Sequence, residues 1–171
     1  TIKTAIQLMD HPDIDLLVVT GGPAVVERAM KSSKRVLAAG PGNPPVVVDE
    51  TADLELAARE IVAGAALDNN LLCICEKEVF VVDTVADRLI EAMQKSGARL
   101  LDARETAAME KLLITSEGKV NKDYIGKDAS LILSRIGIQV SPSVKLAICE
   151  VAADHPFVRH EMMIPVLPIV R

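Results

Sequence analysis

Short apolar runs, separated by stretches with helical spacing, constrain the fold of this chain more than any other feature. The runs 16–19, 79–82 and 166–170 hold four or five residues each, which is the length of a buried strand rather than of a helix. Between the runs, apolar residues recur every three or four positions. Strands that alternate with helices are typical of βαβ units. The pattern therefore predicts an α/β fold with a mostly parallel sheet covered by helices.

Caps and turn residues divide this pattern into elements. Pro23 suits the first position of a helix, Thr51 or Asp53 suits an N-cap, and Gly97 and Gly137 suit helix ends. The predicted helices cover 2–9, 24–31, a segment ending near 66, 84–95, 103–113 and 127–136. The predicted strands cover 16–20, 36–39, 46–49, 77–82, 145–149 and 166–170.

The segment 40–45, Gly-Pro-Gly-Asn-Pro-Pro, is too rich in Pro and Gly for regular structure, and it predicts a boundary between two lobes. Both ends of the chain are unusual for a complete protein. Thr1 opens directly on a helical pattern, and Arg171 follows an apolar run that would pair with neighbouring strands. We therefore expect the chain to be a segment of a longer protein.

The charge and aromatic content exclude some partners. The chain carries 19 Lys plus Arg against 24 Asp plus Glu, a net charge of −5, with two Phe, one Tyr and no Trp. Nucleic-acid binding needs clustered cations and stacking rings, so it is not expected. No apolar run approaches the roughly 20 residues of a membrane helix. The three cysteines form no disulfide framework, which favours a cytoplasmic setting.

Two segments carry candidate chemistry. The strand–Gly21–Gly22–Pro23–helix unit would point helix N–H groups at a bound phosphate, although it lacks the full dinucleotide fingerprint and an ordinary turn explains it as well. Cys73 follows the polar run 68–70 between a helix and a strand. A thiolate there would be a strong nucleophile toward a carbonyl carbon, and the alternative is a small buried side chain.

The remaining candidates have simpler interpretations. In an extended segment Cys75 would face the same way as Cys73, but no set of four ligands suggests a metal. Cys149 lies in an apolar strand and is expected in the core. His155 and His160 are expected in a solvated loop. The charge run 76–78 is expected to be a solvated face, and Glu161, at the start of a Pro-bounded strand, could hold sugar hydroxyls or lie free on the surface.

Several runs together resemble the CoA-acylating aldehyde dehydrogenases, above all the propionaldehyde and acetaldehyde dehydrogenases of propanediol and ethanolamine utilisation. The resemblance covers nearly the whole chain. It implies that residues 1–42 end an NAD-binding Rossmann-like domain and that residues 43–171 begin the catalytic domain. The runs that carry it are TGGPAVV (20–26), AGPGNPPVVVD (39–49), DNNLLC (68–73) with EK (76–77), HPF (155–157) and EMMIPVLP (161–168).

Position by position, the resemblance implies that Cys73 is the nucleophile and attacks an aldehyde. The resulting thiohemiacetal loses hydride to NAD and becomes a thioester, whose acyl group passes to CoA. The backbone N–H of Cys73 would supply half of an oxyanion hole. Gly21 and Gly22 match the turn beside the cofactor, and Glu161 matches the glutamate that holds the nicotinamide ribose. The partners implied are a short aldehyde and CoA, with a homo-oligomer in a cytoplasm or bacterial microcompartment.

Two departures from related enzymes are informative. Ala38 stands where hydrolytic aldehyde dehydrogenases carry a water-activating glutamate, and alanine cannot accept a proton. A thioester without that base survives for the CoA thiol, which favours acyl-CoA over free acid. Gly22 replaces a serine common in relatives. Two alternatives remain: an enzyme of the same fold resembling glutamyl-phosphate reductase, and a catalytically silent fragment.

Overall fold

The computed structural model describes residues 1–171, and its internal packing divides them into two compact units, Thr1–Gly42 and Asn43–Arg171. The helices are α1 (Ile2–Met9), α2 (Pro23–Met30), α3 (Leu54–Ala65), α4 (Asp83–Lys95), α5 (Ala103–Leu113), α6 (Ala129–Arg135) and α7 (Pro156–Arg159). The strands are β1 (Leu16–Thr20), β2 (Arg35–Ala39), β3 (Pro45–Val48), β4 (Glu78–Val81), β5 (Ala98–Leu101), β6 (Leu146–Glu150) and β7 (Val166–Val170).

The first unit is a βαβ arrangement. Strands β1 and β2 pair in parallel, with Leu16 opposite Arg35 and Thr20 opposite Ala39. Helices α1 and α2 pack on this pair through a small core whose buried side chains are Met9, Leu17 and Ala29. Parallel strands require a crossover between them, and α2 supplies it.

The second unit is a five-stranded sheet in the order β3-β4-β7-β6-β5, and all its strands are parallel. Successive side chains of a strand point to opposite faces, and β6 shows both faces buried. Leu146 and Ile148 pack with residues of α3 and α4, whereas Ala147 and Cys149 pack with residues of α5, α6 and the 157–164 segment. The predicted fold class is confirmed.

The helix ends follow the predicted cap chemistry, and the structure decides between the two predicted N-caps of α3. Asp53, not Thr51, caps α3, because its side chain accepts from the Leu56 N–H at 3.1 Å. Asp102 and Glu105 form a reciprocal capping box at the start of α5. Gly97 and Gly137 follow α4 and α6 with positive φ, a conformation that glycine adopts without a Cβ penalty.

Four elements are absent from the predicted set. Strand β5 has only four residues, one of them Arg99, and no β-branched side chain, so neither length nor composition marks it. Three further elements are too short to show a helical periodicity of apolar residues: the four-residue α7 and the 3₁₀ turns Leu67–Asn70 and Lys122–Tyr124. No helix is both long enough and apolar enough to cross a membrane.

Candidate functional site

Cys73 lies on a loop between α3 and β4, at the end where β4 begins. Three consecutive residues of this loop, Asp68, Asn69 and Asn70, have positive φ of 47°, 54° and 63°. Asp and Asn are the side chains that tolerate the left-handed region best after glycine. The polar run 68–70 therefore turns the chain sharply before the cysteine, and Cys73 itself is exposed.

Asn70 holds the loop from inside. It is only 3% exposed, and its amide group donates to the carbonyl of Ala65 at 2.8 Å and to that of Glu76 at 3.0 Å. Its Oδ1 accepts from the Lys77 ammonium at 2.7 Å. Every strong polar site of the side chain is paired, as burial requires. The two ends of the cysteine loop are thus joined through one amide.

Lys77 is the buried cation beneath the loop. It is 4% exposed, and its Nζ donates to Asn70 O at 2.8 Å, Asn70 Oδ1 at 2.7 Å and Leu72 O at 3.0 Å. These bonds use all three ammonium protons. Its own backbone N–H donates to Pro44 O at 3.0 Å, and this bond places the residue at the amino-terminal ends of strands β3 and β4. Lys77 therefore supports the loop and has no donor left for a bound molecule.

Burial lowers the pKa of Lys77, because removing an ammonium from water disfavours its charged form. The charges of Cys75, Glu161, Cys73 and Glu76 act in the opposite direction. Both Cys73 and Glu161 thus lie within electrostatic reach of the same ammonium. The predicted nucleophile and the predicted ribose-binding carboxylate therefore share one neighbourhood of the second unit.

Hydrogen bonds through Gly126 connect the cysteine loop to the Glu161 segment. The Asn69 amide donates to Gly126 O at 3.1 Å and to Asp128 Oδ1 at 2.9 Å. The Gly126 N–H donates to Met163 O at 3.0 Å. Glu161 is half-buried in the loop between α7 and β7, ahead of the strand rather than at its start. The loops of Cys73 and Glu161 are thus linked at Gly126 by one side-chain hydrogen bond and one backbone hydrogen bond.

The three thiols have different surroundings. Cys73 is exposed, whereas Cys75 is 4% exposed and its Sγ contacts Leu67 O at 3.7 Å. The expectation that both thiols face the same way is wrong, because the segment between them is a turn and not an extended strand. Cys149 is fully buried in the sheet, as predicted, and burial raises its pKa to about 12.

The predicted cofactor turn lies in the first unit. Gly22 is the N-cap of α2, Pro23 occupies the first helical position, and the Gly21 N–H donates to Ala39 O at 3.3 Å. A Cβ placed on Gly22 would meet no atom within 4 Å. No side chain accepts a hydrogen bond from the N-terminal N–H groups of α2. Uncapped N–H groups at a helix N-terminus suit a phosphate.

His155 does not lie in a solvated loop, so that expectation is wrong. The residue is half-buried as the N-cap of α7, where its Nδ1 accepts from the Phe157 N–H at 3.2 Å. Its Nε2 lies 3.3 Å from Glu110 Oε2, and its ring packs edge-on against the Phe157 ring. These contacts tie α7 to α5 and give the histidine a structural role.

The charge run 76–78 is not a solvated face, so that expectation is also wrong. Lys77 and Glu78 are 4% and 6% exposed, and Glu78 Oε2 has no hydrogen-bond partner. Burial raises the pKa of Glu78, and the charge of Lys77 partly opposes that shift. The burial of this run has one signal in the sequence: the run directly precedes a strand buried on both faces, where the side chains of the first residues are covered too.

No group of three or more His, Cys, Asp or Glu side chains is arranged to hold a metal.

Comparison with known proteins shows which family this chain belongs to. The family model described as "Aldehyde dehydrogenase family" matches residues 2–171. Acetaldehyde dehydrogenase (acetylating) EutE of Escherichia coli (strain K12) is 48% identical over 176 residues, which cover 99% of this chain and 38% of that protein. Propanal dehydrogenase (CoA-propanoylating) of Salmonella typhimurium is 45% identical over 172 residues, covering 100% of this chain and 37% of that protein.

Solved structures agree. Rhodopseudomonas palustris propionaldehyde dehydrogenase with bound propionyl-CoA superposes with a TM-score of 0.94 at 44% identity, covering 100% of this chain and 38% of that chain. A propionaldehyde dehydrogenase from the Clostridium phytofermentans fucose utilisation bacterial microcompartment gives 0.94 at 42% identity, covering 100% of this chain and 39% of that one. The chain thus spans less than two-fifths of these proteins, and the resemblance to the CoA-acylating enzymes is confirmed. The chain belongs to the aldehyde dehydrogenase family.

Proposed function

We propose that this chain supplies the nucleophile of a CoA-acylating aldehyde dehydrogenase, and that the nucleophile is Cys73. The observation that carries the proposal is one exposed thiol on a loop whose buried polar groups, Asn70 and Lys77, are fully paired. Such a loop presents the thiol in one fixed position, as covalent catalysis requires. A relative at 43% identity supports the assignment, because its solved structure holds CoA and an acylated cysteine.

The reaction divides into two transfers. The Cys73 thiolate forms a C–S bond to the aldehyde carbon, and the carbonyl electron pair moves to oxygen, where the Cys73 N–H stabilises the oxyanion. When bound, NAD accepts the hydride that converts this adduct into a thioester. The thiolate of CoA then attacks the thioester carbon, and the Cys73 thiolate leaves as acyl-CoA is released. The first transfer leaves Cys73 acylated, and the second returns it to its starting thiolate.

Two observations, one on the chain and one on its relatives, support acyl-CoA and not free acid as the product. The resemblance aligns Ala38 with the glutamate that activates water in hydrolytic relatives, and alanine cannot take the proton. Two relatives, at 48% and 45% identity, are an acetylating acetaldehyde dehydrogenase and a CoA-propanoylating propanal dehydrogenase. The acylating reading is therefore preferred to the glutamyl-phosphate-reductase-like one.

Residues 1–42 and 43–171 are proposed to be the end of the NAD-binding domain and the first part of the catalytic domain. The N-terminus of α2 at Gly22, which no side chain caps, supports this assignment because its N–H groups suit a dinucleotide phosphate. Glu161, in a loop linked to that of Cys73 through Gly126, is proposed to hold the nicotinamide ribose. A homo-oligomer and a microcompartment setting belong to the same proposal, and the named origin of one structural relative supports the microcompartment setting.

The test uses the full-length protein that carries this chain. NADH formation from propanal is measured with and without CoA, in the wild type, in Cys73→Ala and in the control Cys149→Ala. We expect CoA-dependent NADH formation in the wild type and its loss in Cys73→Ala, with NAD binding retained. Turnover to free acid without CoA would contradict the acylating reading, and activity in Cys73→Ala would show that another residue is the nucleophile.

A further inference from the structure

We propose that Lys77 is a positioning residue for the acyl chemistry: its ammonium holds the Leu72 carbonyl and thereby directs the Cys73 N–H. The inference rests on the proposed function, because it assigns the means by which half of the oxyanion hole is set in place. It concerns a lysine that lies under the loop and does not touch the substrate. Its effect is on a peptide bond rather than on the thiol.

The argument begins with the peptide that joins Leu72 to Cys73. The chain has no cis peptide bonds, so the carbonyl and the N–H of this peptide point in opposite directions. The Leu72 oxygen accepts from Lys77 Nζ at 3.0 Å and from the Cys75 N–H at 3.1 Å. With the oxygen held on the buried side by two donors, the Cys73 N–H is turned to the opposite side. That N–H is then free to meet an oxygen of a bound molecule.

The hydrogen bonds of Lys77 show why an ammonium suits this place. Its three protons converge on two oxygens of Asn70 and one of Leu72, so the charge is fixed by the loop that it orients. A cation on a carbonyl oxygen also polarises the peptide, which strengthens the N–H at its other end as a donor. Burial lowers the pKa of Lys77, whereas the three hydrogen bonds that the ammonium donates favour its protonated form.

The prediction separates two reactions of the same thiol. Attack on an aldehyde or thioester creates an oxyanion, whereas alkylation by iodoacetamide displaces iodide from a saturated carbon and creates none. If Lys77 acts through the peptide, Lys77→Met should lower kcat for CoA-dependent propanal oxidation by about a hundredfold, the scale of a misplaced or missing oxyanion donor. The rate of Cys73 alkylation at saturating pH, where removal of the Lys77 charge cannot change the ionised fraction of the thiol, should stay as in the wild type, and the KM for propanal should change little.

The experiment uses the full-length protein, with Lys119→Met as the matched control because Lys119 is exposed and paired only with Glu117. Cys75 reports on the loop, since it is buried in the intact fold and reacts only when the loop opens. Wild-type kcat in Lys77→Met would overturn the inference. Parallel losses of kcat and of Cys73 alkylation would overturn it too, because they would place the effect on the thiol.

A second variant covers the case in which Lys77→Met exposes Cys75 to alkylation. Lys77→Arg keeps the charge, but its planar fork cannot direct three donors from one atom to the same oxygens. A lowered kcat with Cys75 still protected and Cys73 alkylation unchanged supports the inference, and a wild-type kcat overturns it. A wild-type protein without CoA-dependent turnover would refute the proposed function instead, so the two failures are distinguishable.

Discussion

Replacing Asn70 by alanine should release the cysteine loop from the body of the second unit. The change removes two neutral hydrogen bonds, to Ala65 O and Glu76 O, and one bond from the Lys77 ammonium. It also leaves alanine at a φ of 63°. With about 1 kcal/mol for each neutral bond, about 2 for the charged one and about 1 for the left-handed backbone, the loss is about 5 kcal/mol.

The loss should appear as local opening and not as global unfolding, because the two sheet cores do not involve Asn70. The assay is thiol labelling by a chromogenic disulfide in a Cys73→Ser background, where Cys75 and Cys149 remain. Cys75 lies behind the loop, and its labelling should accelerate by about three and a half orders of magnitude, since each 1.4 kcal/mol is about a tenfold change. Cys149, whose pKa burial raises to about 12, should stay unreactive.

Asn70→Asp is the matched comparison. The aspartate keeps an acceptor for Lys77 and tolerates the same backbone, so it loses only the two amide donations, about 2 kcal/mol or roughly a thirtyfold acceleration. Equal labelling rates in the two variants would refute the reasoning about the charged bond and the backbone. Labelling of Cys149 at the same rate as Cys75 would show that the whole unit had unfolded.

Two further changes test other parts of the account. Asp102→Ala removes the acceptor that the Glu105 N–H uses at 2.7 Å and should lower the free energy of unfolding by about 1 kcal/mol, measured by urea denaturation; an unchanged midpoint would mean that the capping box does not stabilise α5. Because burial raises the pKa of Glu78, stability from the protonated carboxyl is present below pH 4.5 and is lost as pH rises through the folded pKa. Glu78→Gln should therefore raise Tm relative to the wild type more at pH 7.5 than at pH 4; a constant difference across this range would contradict the buried-carboxyl explanation.

The regular elements could be predicted where local chemistry alone decides them. Helix α5 and strand β7 have the predicted bounds, because a capping aspartate opens the first and an uninterrupted apolar run defines the second. Strand β5 could not be predicted in the same way. Its place in the sheet comes from pairing with β6, a contact between residues 98–101 and 146–149 that no local pattern encodes.

The candidate site could be predicted only in part. The position of Cys73 between a helix and a strand, after a polar run, is compatible with an exposed nucleophile and with a small buried side chain, and the structure shows that the thiol is exposed. The burial of Lys77 was not predictable from a charge run, since it depends on oxygens of Asn70 and Leu72 that a left-handed turn brings to its ammonium. The link from Asn69 through Gly126 to the Glu161 segment spans distant parts of the sequence and has no local signal.

The most direct test of the central claim is the site of acylation. The full-length protein is mixed with propanal and NAD in the absence of CoA, digested at low pH to preserve thioesters, and analysed by peptide mass spectrometry. The account predicts a propionyl group on Cys73 alone, which disappears on brief addition of CoA with formation of propionyl-CoA. A propionyl group on Cys75 or Cys149, or a Cys73 adduct that CoA does not remove, would contradict it.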